Sequence, residues 1–80
     1  MSGITIVNNS TVDIYVSVTT TGGDSGKGGS EKWYTLKANG GKDTWNYRSE
    51  NQLIRFTRSS STGVSVETVL GVPGSTVNIP

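Results

Sequence analysis

One run of strict alternation between apolar and polar residues constrains the fold more than any other feature. The apolar members are Val12, Ile14, Val16 and Val18, and the polar members between them are Asp13, Tyr15, Ser17 and Thr19. Successive side chains of a strand point to opposite faces, so the run predicts a strand with one buried face. Its β-branched residues also suit a pleated surface. Since no segment shows the spacing of an amphipathic helix, the sequence predicts an all-β protein.

Similar runs recur along the chain and are separated by turn residues. We predict further strands at 4–6, 32–37, 42–48, 53–58, 64–70 and 76–80. Val64, Val66 and Leu70 mark the sixth strand, and Val77 and Ile79 face inward in the last. Pro73 and Gly74 predict a type II turn at 72–75. The pattern is typical of an antiparallel two-layer β-sandwich of about seven short strands, as a single domain over 1–80.

Four of the six aromatic residues lie in the two strands 32–37 and 42–48, on either side of a short turn at 38–41. The two strands are predicted to form one β-hairpin. Alternation within them places Tyr34, Trp45 and Tyr47 toward the core and Trp33 toward solvent. An alternative stays open, because both tryptophans could fill a core that has one Phe.

The outward residues of the predicted strands form a candidate binding patch. Its members are Tyr15, Trp33, Asn46, Arg48 and Arg55. A pyranose ring can stack its C–H face on Trp or Tyr, while amide and guanidinium groups bind its hydroxyls. The patch therefore predicts a carbohydrate-binding, lectin-like module whose partner is a glycan. Self-assembly is an alternative, because Trp, Tyr and Arg are also enriched at protein interfaces.

The segment 20–31 contains five glycines and no apolar side chain. It is predicted to be a long mobile loop. A phosphate-binding loop is excluded, because Thr21 stands where the first glycine is required and Gly28 replaces the Ser or Thr that follows Lys27. Asp24 alone is poor provision for a calcium ion, which takes six to eight oxygen ligands.

Composition removes most catalytic chemistry. The chain has no His and no Cys, so Ser-His and Cys-His nucleophile systems and ordinary zinc sites are excluded. A glycosidase needs a carboxylate pair in a cleft, for which so short a chain leaves little material. We therefore predict that the protein is not an enzyme and has no catalytic residues, metal or cofactor. A net charge of +1 does not favour nucleic acid as a partner.

Length and the amino terminus lead to two further expectations. A chain of 80 residues without disulfides must be stabilised by a good core or by association, so we expect a homo-oligomer. Met1-Ser2-Gly3 leads into the first strand without a charged region or a long apolar stretch. This predicts that there is no signal peptide and that the protein is cytoplasmic.

Two segments carry a resemblance to known proteins. The sequence ITIVNNS at 4–10, followed by Ile14-Tyr15-Val16, resembles the first hairpin of small cytosolic β-sandwich proteins of mushroom-forming fungi. The run WYTL at 33–36, with Trp45 and Arg48 after a glycine-bearing turn, extends it. The chain is more distantly similar to the aegerolysins, β-sandwich proteins that recognise membrane sphingolipids. The resemblance implies a sandwich fold and membrane-lipid binding as an alternative function.

Overall fold

The computed structural model describes residues 3–58 and 65–80 and has seven strands within those ranges. The strands are β1 Gly3–Asn8, β2 Ile14–Val18, β3 Tyr34–Leu36, β4 Gly41–Asn46, β5 Gln52–Thr57, β6 Glu67–Gly71 and β7 Thr76–Ile79. A single 3-10 turn in the described residues spans Gly22–Asp24, between β2 and β3. The all-β prediction is confirmed.

The strands form two sheets that pack face to face. One sheet has three strands in the order β4-β1-β7, and the other has four in the order β3-β2-β5-β6. Neighbouring strands are antiparallel, except that β1 and β7 are parallel. The predicted two-layer sandwich is therefore confirmed, with this parallel pair as a departure from a purely antiparallel arrangement.

Alternate residues of the two sheets meet in one apolar core. Its buried members are Ile4, Ile6, Ile14, Val16, Val18, Leu36, Trp45, Ile54, Phe56 and Ile79. Each fully buried aliphatic side chain contributes about 1.5–3 kcal/mol relative to an exposed one. The inward positions of Ile79 and, in part, Val77 agree with the prediction. Val12 was expected on the buried face but is exposed, because β2 begins after it at Ile14.

The predicted aromatic hairpin is wrong. β3 pairs with β2 in one sheet, and β4 pairs with β1 in the other. The chain crosses between the sheets at Asn39 and Gly40, whose backbone amides donate to the carbonyls of Ser10 and Asn8. Asn39 makes this crossing with φ of 60°. The turn at 38–41 was predicted correctly, but it forms an arch that connects the two sheets rather than a hairpin turn between paired strands.

A buried asparagine holds this end of the sandwich together. The side-chain amide of Asn8 donates to the carbonyls of Val12, Leu36 and Lys37 at 2.9, 3.1 and 3.1 Å. Its carbonyl oxygen accepts from the backbone and hydroxyl of Ser10. We call Asn8 and Ser10 the Asn8 cluster. The cluster joins the end of β1 to the end of β3. Because β1 and β2 belong to different sheets, the turn between them is also an arch and not the hairpin that the resemblance implied.

The sixth predicted strand is present, and in the described residues it spans Glu67–Gly71. Val64 lies outside the described residues, and Val66 precedes β6 and is exposed. Leu70 faces solvent, whereas Val69 packs against the core and Gly71 is buried. The type II turn that follows is confirmed: Gly74 has φ of 83°, and the Ser75 amide donates to the Val72 carbonyl at 3.0 Å.

Candidate functional site

A buried carboxylate anchors the glycine-rich segment 20–31. Asp24 is inaccessible to solvent. One of its oxygens accepts from the backbone and hydroxyl of Ser49 at 2.8 and 2.7 Å. The other accepts from the Glu50 amide and from the Gln52 side chain at 3.1 and 2.7 Å. The prediction of a long mobile loop did not include this anchor, and the mobility of the rest of the segment stays a prediction.

The environment of Asp24 favours its charged form. Burial alone would raise the pKa of this carboxyl. The hydrogen bonds from Ser49, Gln52 and Glu50 outweigh burial and hold the pKa far below its ordinary value. Asp24 is therefore an anion throughout the neutral and mildly acidic range.

Arg48 lies in the interior and not on the outward patch where it was predicted. Its exposed fraction is 1%. Nε donates to the Thr19 carbonyl at 2.9 Å, and Nη1 donates to the Asn46 carbonyl at 2.7 Å. Nη2 donates to the carbonyls of Val18 and Ser30 at 2.9 and 2.7 Å. One guanidinium thus ties the ends of β2 and β4 to the glycine-rich segment.

Gln52 connects the buried carboxylate of Asp24 to Thr21 in the glycine-rich segment. Its side-chain nitrogen donates to Asp24, and its oxygen accepts from the backbone and hydroxyl of Thr21. Burial lowers the pKa of Arg48, while Asp24 and Glu31 raise it; an arginine remains charged in proteins in any case. We call Asp24, Arg48 and Gln52 the Arg48 cluster. It lies at the opposite end of the sandwich from the Asn8 cluster.

Tyr47 adopts a backbone conformation that is rare for a bulky residue. Its φ is 62°, in the left-handed region. Trp45 and Arg48 are both buried although they are three residues apart, so the chain cannot continue a simple alternation between them. The kink at Tyr47 absorbs the extra residue and turns its ring outward, with an exposed fraction of 53%. The prediction that Tyr47 faces the core is therefore wrong, whereas that for Trp45 is confirmed.

Beside Tyr47, an open groove with a volume of about 210 Å³ runs along the side of the sandwich where the edge strands β3 and β4 face each other. Its lining comprises Gly28, Gly29, Ser30, Tyr34, Asp43, Thr44, Trp45, Asn46, Tyr47 and Arg48. We call this site the aromatic groove. Tyr34 meets Trp45 edge to face, with ring centroids 6.3 Å apart and planes at 71°. Tyr34 was predicted in the core but is 44% exposed, because β3 is an edge strand.

The aromatic groove combines ring surfaces with accessible polar groups. Asp43 and Asn46 are both exposed. One oxygen of Asp43 accepts from the Thr44 amide at 2.7 Å, which leaves its second oxygen for a ligand. Within the described residues, the Asn46 side chain forms no hydrogen bond and keeps a donor and an acceptor. The groove can therefore offer apolar faces and hydrogen bonds to the same small molecule.

The other predicted residues lie on the outer face of the four-stranded sheet. Trp33 is 48% exposed and points outward as predicted. The Arg55 guanidinium lies 5.7 Å from the centre of the Trp33 ring. Arg55 also donates to the Ser17 hydroxyl at 2.7 Å and to Glu31 at 3.5 Å. Tyr15 lies two residues before Ser17 in β2, so its side chain points to the same face.

The predicted five-residue patch is therefore divided between two places. Tyr15, Trp33 and Arg55 share the outer face of the four-stranded sheet. Asn46 and Arg48 line the aromatic groove, one as an exposed side chain and the other as buried support. Asp43, Tyr34 and Tyr47 are groove residues that the sequence did not assign to a site.

The described residues hold no group of metal ligands and no helix that could span a membrane. None of their acidic side chains form a group of three or more that could bind a metal ion. They contain no helix of the length and apolarity required to cross a membrane. Comparison with known families, characterised proteins and solved structures finds no match to this chain. The resemblance to fungal sandwich proteins and aegerolysins thus stays a prediction.

Proposed function

We propose that this protein is a non-catalytic carbohydrate-binding module and that the aromatic groove is its sugar site. The observation that supports this proposal is the concave arrangement of Tyr34, Trp45 and Tyr47 beside the exposed side chains of Asp43 and Asn46. A sugar ring carries apolar C–H faces and a rim of hydroxyls. Aromatic faces match the former, and carboxylate and amide groups match the latter.

The position of Tyr47 supports a binding role for its ring. A bulky residue in the left-handed region costs on the order of 1–3 kcal/mol, and such residues cluster at ligand sites. Here the strained residue is also half exposed and lies beside two other aromatic rings. The fold keeps an aromatic surface in water at a position where glycine or asparagine would be less strained.

The size of the groove favours a small glycan unit. Its volume of about 210 Å³ is below the roughly 300–1,000 Å³ of pockets that enclose drug-sized ligands. We infer that it accommodates one or two sugar rings rather than a long chain. The wall at Ser30 is held by Arg48, so part of the site is formed before the ligand arrives. Preorganisation reduces the entropy cost of binding.

The outer face of the four-stranded sheet offers a weaker sugar platform. Arg55 stacks over Trp33 and covers one side of its ring. The guanidinium is also engaged by Ser17 and Glu31, which limits its use for hydroxyls. We therefore assign the sugar to the groove. The surface formed by Tyr15, Trp33 and Arg55, which the sequence predicted to bind the ligand, is the competing site in the test.

Glycan-array screening followed by calorimetry with the best-bound sugar tests the proposal. Tyr47→Gly removes one ring and relieves the backbone strain, so we expect binding to be lost while the melting temperature stays the same or rises. Asp43→Asn is expected to weaken binding at least tenfold without affecting stability. Trp33→Ala is the matched control, because it removes an equally exposed aromatic residue outside the groove.

Two results would contradict this assignment. Loss of binding in Trp33→Ala, with full binding in Tyr47→Gly, would transfer the sugar to the sheet. Failure of every glycan to bind, together with co-sedimentation with liposomes of one head-group class, would replace the sugar with a membrane lipid.

A further inference from the structure

The two outer faces of the sandwich differ in a way that sugar binding does not explain. On the four-stranded sheet, Leu53 and Leu70 are 51% and 55% exposed, and Trp33 lies on the same side. On the three-stranded sheet, the corresponding row consists of Thr44, Thr5 and Thr76 across adjacent strands. We call the outward residues of β3, β2, β5 and β6 the sheet face, together with the residues that flank these strands on the same side, Asp13, Glu31, Trp33 and Lys37. Large exposed apolar side chains are therefore concentrated on one of the two faces.

The apolar residues of the sheet face are adjacent rather than scattered. Leu53 and Leu70 are direct partners in the β5–β6 register. Side chains of direct antiparallel partners lie about 4.5–5.5 Å apart at Cβ, so the two leucines form one continuous apolar surface. Arg55 is the next outward residue of β5, and its partner across β6 is Thr68. The aliphatic pair and the Trp33–Arg55 stack thus form one surface.

We propose that two copies of this chain associate through their sheet faces, with Leu53 and Leu70 packed against the partner near a two-fold axis. The composition of the face supports a protein partner, because aromatic residues and Arg are enriched in interface cores. A two-fold contact also requires a patch that is complementary to itself.

The charges on the sheet face fit a second copy better than a charged partner. Lys37 and Asp13 lie 3.5 Å apart, and Arg55 and Glu31 also lie 3.5 Å apart. Each cation on the face is matched by an anion, so two identical faces do not repel each other. A polyanion or an anionic membrane would instead favour an excess of Lys and Arg.

The dimensions of the sandwich allow an interface of ordinary size. Its two longer extents are 33 and 24 Å, so the area of its broad side is at most roughly 800 Å². Stable complexes bury about 800 Å² on each partner. A dimer would therefore use most of the broad side, and it would bury apolar surface that a small domain without disulfides leaves in water. This inference does not depend on the function of the groove.

Sedimentation velocity from about 1 to 100 μM tests the association. We expect the wild type to sediment as a dimer at the upper concentrations and the double variant Leu53→Glu/Leu70→Glu as a monomer with an unchanged circular dichroism spectrum. Thr44→Glu/Thr76→Glu is the matched control on the opposite outer face and should remain dimeric. Mixing the Glu double variant with Leu53→Lys/Leu70→Lys should restore a dimer, since the new charges then attract.

Three outcomes would overturn the proposal. The first is a wild type that stays monomeric over the whole range. The second is a dimer that persists in the Glu double variant. The third is equal loss of the dimer in the threonine control, which would place the contact elsewhere. If the Glu double variant fails to fold, Leu53→Ser/Leu70→Ser takes its place with the same expected result.

Discussion

The two ends of the sandwich are held by buried polar groups of different kinds. At one end, the neutral amide of Asn8, which ends β1 in the three-stranded sheet, donates to carbonyls of Val12 and of Leu36 and Lys37 at the end of β3 in the four-stranded sheet. At the other end, the Arg48 cluster stabilises the structure with a buried cation, a buried anion and a glutamine. In each case the chain crosses between layers, so backbone groups leave the strand ladders and need other partners. The comparison shows two solutions to one problem.

The two ends also differ in the length of their connections and in the presence of a groove. The Asn8 end has short arches, in which the amides of Asn39 and Gly40 bind carbonyls of the facing turn. The Arg48 end supports the long segment 20–31 and borders the aromatic groove. A long charged side chain can reach carbonyls on three separate segments, whereas Asn8 needs them close at hand. The charged cluster therefore permits the larger loop on which the proposed site depends.

The largest expected effect comes from removing the buried cation. Arg48→Met leaves Asp24 without its nearby positive charge and leaves four carbonyls without their donor. Loss of one member of a buried charged network costs about 3–5 kcal/mol. We expect urea denaturation to show a loss of this size. Arg55→Met is the control, with an expected loss of about 1 kcal/mol or less because Arg55 is partly exposed. Equal losses in the two variants would contradict the special role of Arg48.

The neutral end should be the less sensitive of the two. Asn8→Ala leaves the carbonyls of Val12, Leu36 and Lys37 without the Asn8 donor. An unsatisfied buried group costs about 1–3 kcal/mol, so we expect a loss of roughly 2–3 kcal/mol in the same urea assay. Asn9→Ala removes an exposed hydrogen bond to Asn78 and serves as the control, with almost no change. A loss from Asn8→Ala that exceeds that from Arg48→Met would reverse the comparison.

Acid should weaken the charged end more than the neutral end. The folded-state pKa of Asp24 lies below its unfolded value near 3.8. Its contribution to stability is therefore complete above that value and is lost as pH falls toward the folded pKa. We expect the urea midpoint to be flat from pH 7 to about 5 and to fall below pH 4. Asp24→Asn should reduce this fall, while Asn8→Ala should retain it.

A residual acid dependence is expected even in Asp24→Asn. A backbone hydrogen bond from Ala38 lowers the pKa of Asp13, and one from Thr20 lowers that of Glu31. Both groups also lose stabilising interactions as pH falls below their ordinary pKa values. An unchanged acid profile in Asp24→Asn would show that these two groups, and not the buried cluster, dominate the response.

The sequence predicted the parts of the fold that depend on apolar alternation. Ile14, Val16 and Val18 face inward as their spacing indicates, and the turn at Pro73 and Gly74 has the expected type. Alternation reports which face of a strand is buried but not which strand lies beside it. The pairing of β3 and β4 with strands of different sheets was therefore invisible in the local pattern.

The site was predicted less well, because polar residues in the interior give no periodic signal. Arg48 was placed outside because it alternates with Asn46 on the polar face of the predicted strand 42–48, yet carbonyls at the end of the sandwich make the interior favourable for it. Its burial breaks the alternation after Trp45 and turns Tyr47 outward. The groove was missed for the same reason. Trp33, which lies in a regular face next to β2, was oriented correctly.

The smallest expected effect is a gain in stability from replacing Tyr47 by glycine. The same replacement of Asn39 at the other end should have no effect. Tyr47 and Asn39 are the non-glycine residues with positive φ in the described ranges, at 62° and 60°. Asn tolerates the left-handed region, whereas Tyr does not. Relief of strain, less the entropy cost of glycine, should make Tyr47→Gly about 1 kcal/mol more stable. Asn39→Gly should show no gain. If both variants are equally stabilised, the strain is a property of arches in general; if only Tyr47→Gly gains, strain is stored at the end that holds the aromatic groove.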